Sequence, residues 1–116
     1  MSCLPQTPEK LLSIINNTKC IVLKFSASWC GPCKNKTFLQ SYYDLKEQYS
    51  SNSDVVFLEF DLDNDENLVN DEKLNFKIKS IPAIKIYNKG KLLNEYIGTN
   101  YLNKVNLDIQ TVLNHL

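Results

Sequence analysis

Phe25-Ser26-Ala27-Ser28-Trp29-Cys30-Gly31-Pro32-Cys33-Lys34 is the stretch that decides the fold. An apolar, β-favouring run, Cys20-Ile21-Val22-Leu23, leads into it, and a segment with helical spacing of apolar residues follows. It reads as a strand that ends, a tight turn, and a helix whose first turn carries two thiols. Pro32 suits a first-turn position, because its missing N–H is one of the four that have no intrahelical partner. Cys30 then stands at the N-terminal end of the helix, where free N–H groups and the positive dipole end favour a thiolate. Such placement lowers a cysteine pKa from about 8.5 to about 7 or below. Cys33 lies nearly one turn further on and reaches the first sulfur. An exposed, activated thiol with a second beside it is the geometry of reversible thiol–disulfide exchange.

Working outward, Trp29-Cys30-Gly31-Pro32-Cys33-Lys34 after an apolar strand resembles the thioredoxin family, and three further landmarks follow in order. Ile81-Pro82, between a short helix-like run and an apolar strand, resembles the family's cis-proline loop. Asn88-Lys89-Gly90-Lys91 resembles the turn that joins its last two strands, and Gly98-Thr99-Asn100 the glycine before its closing helix. The similarity runs from about residue 8 to the end. It implies an α/β thioredoxin fold in one domain over residues 1–116, with a central mixed sheet of four or five strands flanked by four helices.

The bulk numbers agree with such a domain. With 116 residues, 43% hydrophobic and 22% charged, the chain is long enough to bury a core without staples. Thirteen basic and thirteen acidic side chains cancel, so no overall field recruits nucleic acid or an anionic membrane. No apolar run approaches the roughly 20 residues of a membrane span. The first nine residues have neither the basic start nor the apolar core of a signal peptide, so the expected location is the cytoplasm. Sequons at Asn16 and Asn35 are chance products of an asparagine-rich chain.

Element by element, Thr7-Pro8-Glu9 reads as cap, first-turn proline and dipole-favourable acid of a helix over 8–16, with Leu11, Leu12, Ile14 and Ile15 inward. Residues 20–27 and 55–60 read as buried strands, and 32–49 as one helix with Phe38, Leu39, Tyr42 and Leu45 on its inner face. A short helix is expected over 67–76, strands over 83–87 and 92–97, and a closing helix from 102 with Val105, Ile109, Val112 and Leu113 inward. Residues 2–4 add a candidate edge strand. Strand–helix–strand followed by hairpin and helix makes a mixed sheet covered on both faces.

The chemistry has named parts. Cys30 is the expected nucleophile toward a disulfide of a partner protein, and Cys33 the thiol that resolves the mixed disulfide, leaving a Cys30–Cys33 bridge. No bound cofactor is required, because the cysteine pair is the redox group. Gly31 and Pro32 resemble the pair between the thiols of reducing family members, which implies a potential near thioredoxin's about −270 mV rather than the about −120 mV of strong oxidants. Resemblance also implies that the loop at Pro82 faces the thiols and that the Ile81 backbone pairs with bound substrate. Trp29, Pro32, Ile81, Gly98 and Thr99 would then form the docking surface. The implied partners are disulfide-containing proteins and an NADPH-dependent thioredoxin reductase, with the protein itself a monomer.

Two features depart from the family, a charged pair and a missing proline. Where its members carry a buried aspartate, six residues before the first active cysteine, this chain has Lys24, and the lysine of the next strand is replaced by Glu59. An ion pair or hydrogen bond between Lys24 and Glu59 is the expectation, with Glu59 or water held by the pair taking the proton role; outward snorkelling of Lys24 is the alternative. The helix-kinking proline expected eight residues after the first cysteine is Phe38.

Other readings keep parts of this picture. A disulfide oxidase or isomerase would reverse the direction, and a scaffold subunit would borrow the fold without the chemistry. Zinc ligation is short of ligands, with one histidine, His115, and no second CxxC. Asp61, Asp63, Asp65, Asn67 and Glu72 match a calcium-loop template, but Glu66 stands where its turn requires glycine. The connection over 61–80 is also longer than in typical members of the family. Cys20 reads as a small core residue and Cys3 as a terminal thiol.

Overall fold

Thr7 opens the first helix as its sequence predicts. Its side chain accepts a hydrogen bond from the Lys10 N–H at 3.2 Å, and helix α1 runs Pro8–Asn17. The computed structural model describes residues 4–114. Leu11 and Ile15 are buried, but Ile14, expected inward, lies on the outer side at 36% exposure. The candidate edge strand over 2–4 falls, apart from Leu4, outside the described residues, as do Cys3 and His115.

The sheet is built around β1 (Cys20–Ser26), which pairs in parallel with β2 (Val55–Asp61) and antiparallel with β3 (Ala83–Asn88). Strand β4 (Lys91–Ile97) pairs antiparallel with β3, giving the order β2-β1-β3-β4. Residues 20–25 are all buried because both faces of this central strand are covered, which accounts for the unbroken apolar run.

One face packs Leu23, Phe25 and Phe60 against Leu11 and Ile15 of α1 and against Phe76. The Phe25 and Phe60 rings stack at 4.8 Å, and Phe76 meets Phe25 edge-on at 5.1 Å. The other face packs Val22 and Ile84 against Phe38 and Tyr42 of α2 (Lys36–Gln48) and Val105 and Ile109 of α4 (Leu102–Asn114). Four helices and a four-stranded mixed sheet thus match the expected class.

Two expected helices are corrected. The helix expected over 67–76 is helical only in α3 (Glu66–Val69). Beyond it Asp71 Oδ2 accepts from the Leu74 N–H at 2.9 Å, and Asn75 and Lys77 adopt φ of 55° and 51°. Leu68, Val69, Leu74 and Phe76 are nevertheless buried, so the apolar spacing reported burial rather than helix.

The helix expected over 32–49 is also two pieces. A 3-10 turn, Pro32–Lys34, is followed by extended backbone at Asn35, and α2 starts afresh at Lys36. Asn35 causes the restart: its side-chain oxygen accepts from the Phe38 N–H at 2.8 Å, which satisfies one free donor of the new first turn. Phe38, in place of a kinking proline, is buried at 4% exposure in the core. The break therefore comes from a cap. Asn35→Ala is expected to destabilise the protein by about 1 kcal/mol, read as a lower urea midpoint at unchanged slope.

Candidate active site

Strand β1 ends at Ser26, and the chain turns through Ala27, Ser28 and Trp29 to bring Cys30 into a small apolar cluster with Ala27 and Cys33. Cys30 and Cys33 form a disulfide, with Cα atoms 5.3 Å apart. The backbone N–H of Cys33 points at Cys30 Sγ at 3.2 Å. It is a fixed donor aimed at the sulfur, of the kind that favours a thiolate once the bridge is reduced.

The sequence predicts an exposed Cys30, but the residue is only 5% accessible, the same as Cys33. Leu62 and Ile81 pack against the cluster and cover it. Around this recess the surface is bare: Trp29 is 65% exposed, and Gly31 and Pro32 are exposed. Gly31 has φ −57° and open space where a side chain would stand, so its backbone does not require glycine. What the glycine leaves is an unobstructed surface between the thiols.

The Ile81–Pro82 peptide bond is cis, and its loop faces the thiols. The Ile81 carbonyl oxygen lies 3.8 Å from Cys30 Sγ, while Pro82 is buried. Ile81 stands just outside β3, so its backbone is not enrolled in the sheet. The Gly98 N–H donates to the Pro82 carbonyl at 2.8 Å, which ties the end of β4 to this loop. Gly98 sits at φ +111°, a conformation L side chains rarely adopt, and there glycine is required. Thr99, next in the chain, is half-buried.

Lys24 and Glu59 do occupy paired positions in the parallel register, yet they form no salt bridge. Glu59 is taken by Lys46 of α2 at 2.9 Å. Lys24 neither pairs nor snorkels. It is 5% exposed, with Nζ 4.4 Å above the Tyr42 ring and 5.8 Å from that of Tyr43. Burial pushes its pKa down from the usual 10.5, the Glu59 charge offsets part of this, and Lys46 adds to the drop. Tyr42 Oη and Glu59 Oε2 are buried without hydrogen-bond partners. The ion pair went elsewhere because Tyr42 and Lys46, four residues apart, share the face of α2 that covers these strands.

Other residues of the calcium template have structural work. Asp61 Oδ1 accepts from the N–H groups of Asp63 and Asn64, and Asp65 Oδ2 from that of Asp61. Asp63 is also a site residue the sequence reading missed, since its Oδ2 accepts from the Trp29 indole N–H at 2.9 Å. No local pattern signals that contact across 34 residues. Cys20, fully buried, has its thiol pushed up to about 11 by burial and by the Asp108 charge. Among the described residues no group of three or more metal-ligating side chains converges, and no helix is long and apolar enough to cross a membrane.

A mixed sheet that delivers a CxxC disulfide beyond its central strand, opposite a cis-proline loop, defines a dithiol–disulfide oxidoreductase of thioredoxin fold. The family model named Thioredoxin matches residues 3–111. Horse (Equus caballus) thioredoxin is 39% identical over 83 residues, which is 71% of this chain and 70% of that protein. Human (Homo sapiens) thioredoxin is 36% identical over the same span and shares. Among solved structures, oxidised thioredoxin from Plasmodium falciparum superposes with a TM-score of 0.66 at 26% identity, covering 87% of this chain and 90% of that one. The germline-specific thioredoxin Deadhead of Drosophila melanogaster gives 0.68 at 27%, covering 94% and 98%. The chain belongs to the thioredoxin family, and its function is disulfide reduction through Cys30 and Cys33.

Proposed function

We propose that Cys30 is the attacking nucleophile and Cys33 the resolving thiol of a general reductase of protein disulfides. The observation that carries this is the Cys33 N–H aimed at Cys30 Sγ, which stabilises negative charge on the first sulfur and not the second. In the reduced protein the Cys30 thiolate attacks one sulfur of the substrate disulfide. That S–S bond breaks, a Cys30–substrate disulfide forms, and the departing substrate sulfur leaves as a thiolate that takes a proton. Cys33 then loses its proton and attacks Cys30 Sγ, releasing the second substrate sulfur. Two electrons pass to the substrate, which leaves as two thiols with one proton from Cys33 and one from water, and the Cys30–Cys33 bridge remains.

The substrate lies as an extended segment along Ile81, whose free backbone offers strand-like hydrogen bonds. Trp29, Pro32, Gly98 and Thr99 supply the surface around it. Gly31 and Pro32 hold the poise on the reducing side. Family membership implies disulfide-containing protein substrates and a thioredoxin reductase in general. The finer reading is that the protein works as a monomeric electron carrier in the cytoplasm, recharged by an NADPH-dependent reductase. A working dithiol beside a free, buried Cys20 suits a reducing compartment.

The test is reduction of insulin by dithiothreitol with catalytic amounts of protein, together with the reduction potential against glutathione. Faster precipitation of the insulin chains and a potential near about −270 mV are expected. No acceleration, or a potential near the about −120 mV of strong oxidants, would overturn the assignment.

A further inference from the structure

The disulfide lies between two grooves of different electrical character. On the Pro32 and Thr99 side the groove is about 390 Å³, and its polar lining, including Asn35, Thr37, Ser41 and Asn103, is uncharged. On the Trp29 side it is about 540 Å³. Trp29 and the partly buried Leu62 and Ile78 give that groove its apolar surface, and four carboxylates, Asp63, Glu66, Asp71 and Glu72, stand around it against the single ammonium of Lys77.

The connection over 61–80 builds nearly all of this second groove. Its carboxylates are not equally free. Asp63 holds the Trp29 indole, and Asp71 caps the turn at Leu74. Glu66 and Glu72 are exposed, and neither enters a salt bridge among the described residues. The groove is continuous with the reacting surface, because Trp29 is both its wall and the residue preceding Cys30.

We propose that this groove selects substrates carrying a lysine or arginine beside the disulfide to be reduced. The inference rests on the reductase reading above and names its preferred substrate class. A basic side chain suits both parts of the groove. Its aliphatic stem covers the apolar lining while its charged head stays at the carboxylates, and a cation over the exposed Trp29 face gains a cation–π contact. An acidic segment meets the same carboxylates as repulsion. The uncharged groove on the far side of the thiols applies no such selection, so the preference is confined to the Trp29 side of the bound segment.

The test uses three disulfide-cyclised peptides that differ only beside one cysteine, carrying lysine, glutamine or glutamate. Each is mixed with prereduced protein, and the rate is followed by the fluorescence of Trp29, the only tryptophan. Rates are divided by those of the same peptides with dithiothreitol, which removes differences in intrinsic disulfide reactivity. The lysine peptide is expected to react about tenfold faster than the glutamate peptide at low ionic strength. That ratio should fall toward one at about 0.5 M salt. In a Glu66→Gln, Glu72→Gln double variant the lysine peptide should slow toward the glutamine peptide, whose own rate stays unchanged. Equal normalised rates for the three peptides, or a preference that survives in the double variant, would sink the proposal while leaving the reductase intact. Failure to reduce even the glutamine peptide would overturn both.

Discussion

Cys30→Ser is expected to abolish turnover in the insulin assay, a loss on the order of 10³-fold or more in the rate above the dithiothreitol background. Serine keeps the size of the side chain, but its hydroxyl stays protonated near neutral pH and does not exchange with disulfides. Cys33→Ser should fail differently. Cys30 then retains its nucleophile and its backbone donor, since the N–H aimed at Cys30 Sγ belongs to the main chain of residue 33 and survives the substitution. The first exchange proceeds, resolution does not, and the mixed disulfide accumulates as a covalent species heavier by the mass of the substrate. Intact mass spectrometry without reductant checks both variants. Accumulation of adduct by Cys30→Ser but not by Cys33→Ser would reverse the two roles.

Lys24→Met is the second large effect, and it is expected to stabilise the protein by about 1–3 kcal/mol at pH 7. Lys85 makes the contrast. It is equally buried, at 4% exposure, but Glu95 meets it across the strand pair at 3.1 Å. Lys24 has a ring face in place of a carboxylate, because Lys46 already holds Glu59. Desolvating an ammonium costs more than a cation–π contact returns, whereas the unbranched methionine fills similar space without charge.

The pH dependence carries the signature. The folded-state pKa of Lys24 lies below its ordinary 10.5, so between those values the unfolded chain binds more protons than the folded one. Wild-type stability therefore gains from Lys24 as pH rises through that window, and Lys24→Met loses the gain. Buried tyrosines act in the opposite sense. Tyr87 and Tyr96 are pushed up to about 12 from the usual 10.0, mainly by burial. They cost stability above about pH 10 in both proteins and cancel in the difference. Urea unfolding at pH 7 and pH 10 measures it: the advantage of the variant should shrink at the higher pH. A variant less stable at pH 7 would show that the ring contact outweighs the burial.

Most of the fold was legible because its signals are local. The continuous apolar run at Cys20–Leu23 required a strand covered on both faces, the β-rich run Val55–Phe60 a second strand, and the sheet places them side by side. Thr7-Pro8-Glu9 announced a helix start and made one. What misled was chemistry that reads two ways. Asn35 falls inside the pattern that reads as one helix over 32–49, but its amide competes for backbone donors and began a new helix. The segment 70–80 alternates buried and exposed residues irregularly, and its apolar members imitated a helix while positive-φ residues turned the chain. At the site, the thiol pair followed from its spacing and its place after a strand, and the cis-proline and the glycine before α4 from the resemblance to the family. The partner of Glu59 and the hold of Asp63 on Trp29 are tertiary choices among several charged or polar candidates, and local pattern does not rank those.

The recess of the sulfurs has a consequence for which electron acceptors compete. An atom showing so little surface is approachable along few lines, and displacement at sulfur demands collinear alignment of the incoming and departing atoms. The disulfide of a free tripeptide, or a peroxide, must find that alignment unaided. A polypeptide lying along Ile81 arrives with its bond already oriented and gains the advantage of an intramolecular reaction. Depth thus acts as a sieve on trajectory, sparing reducing power from small oxidants without any group that repels them.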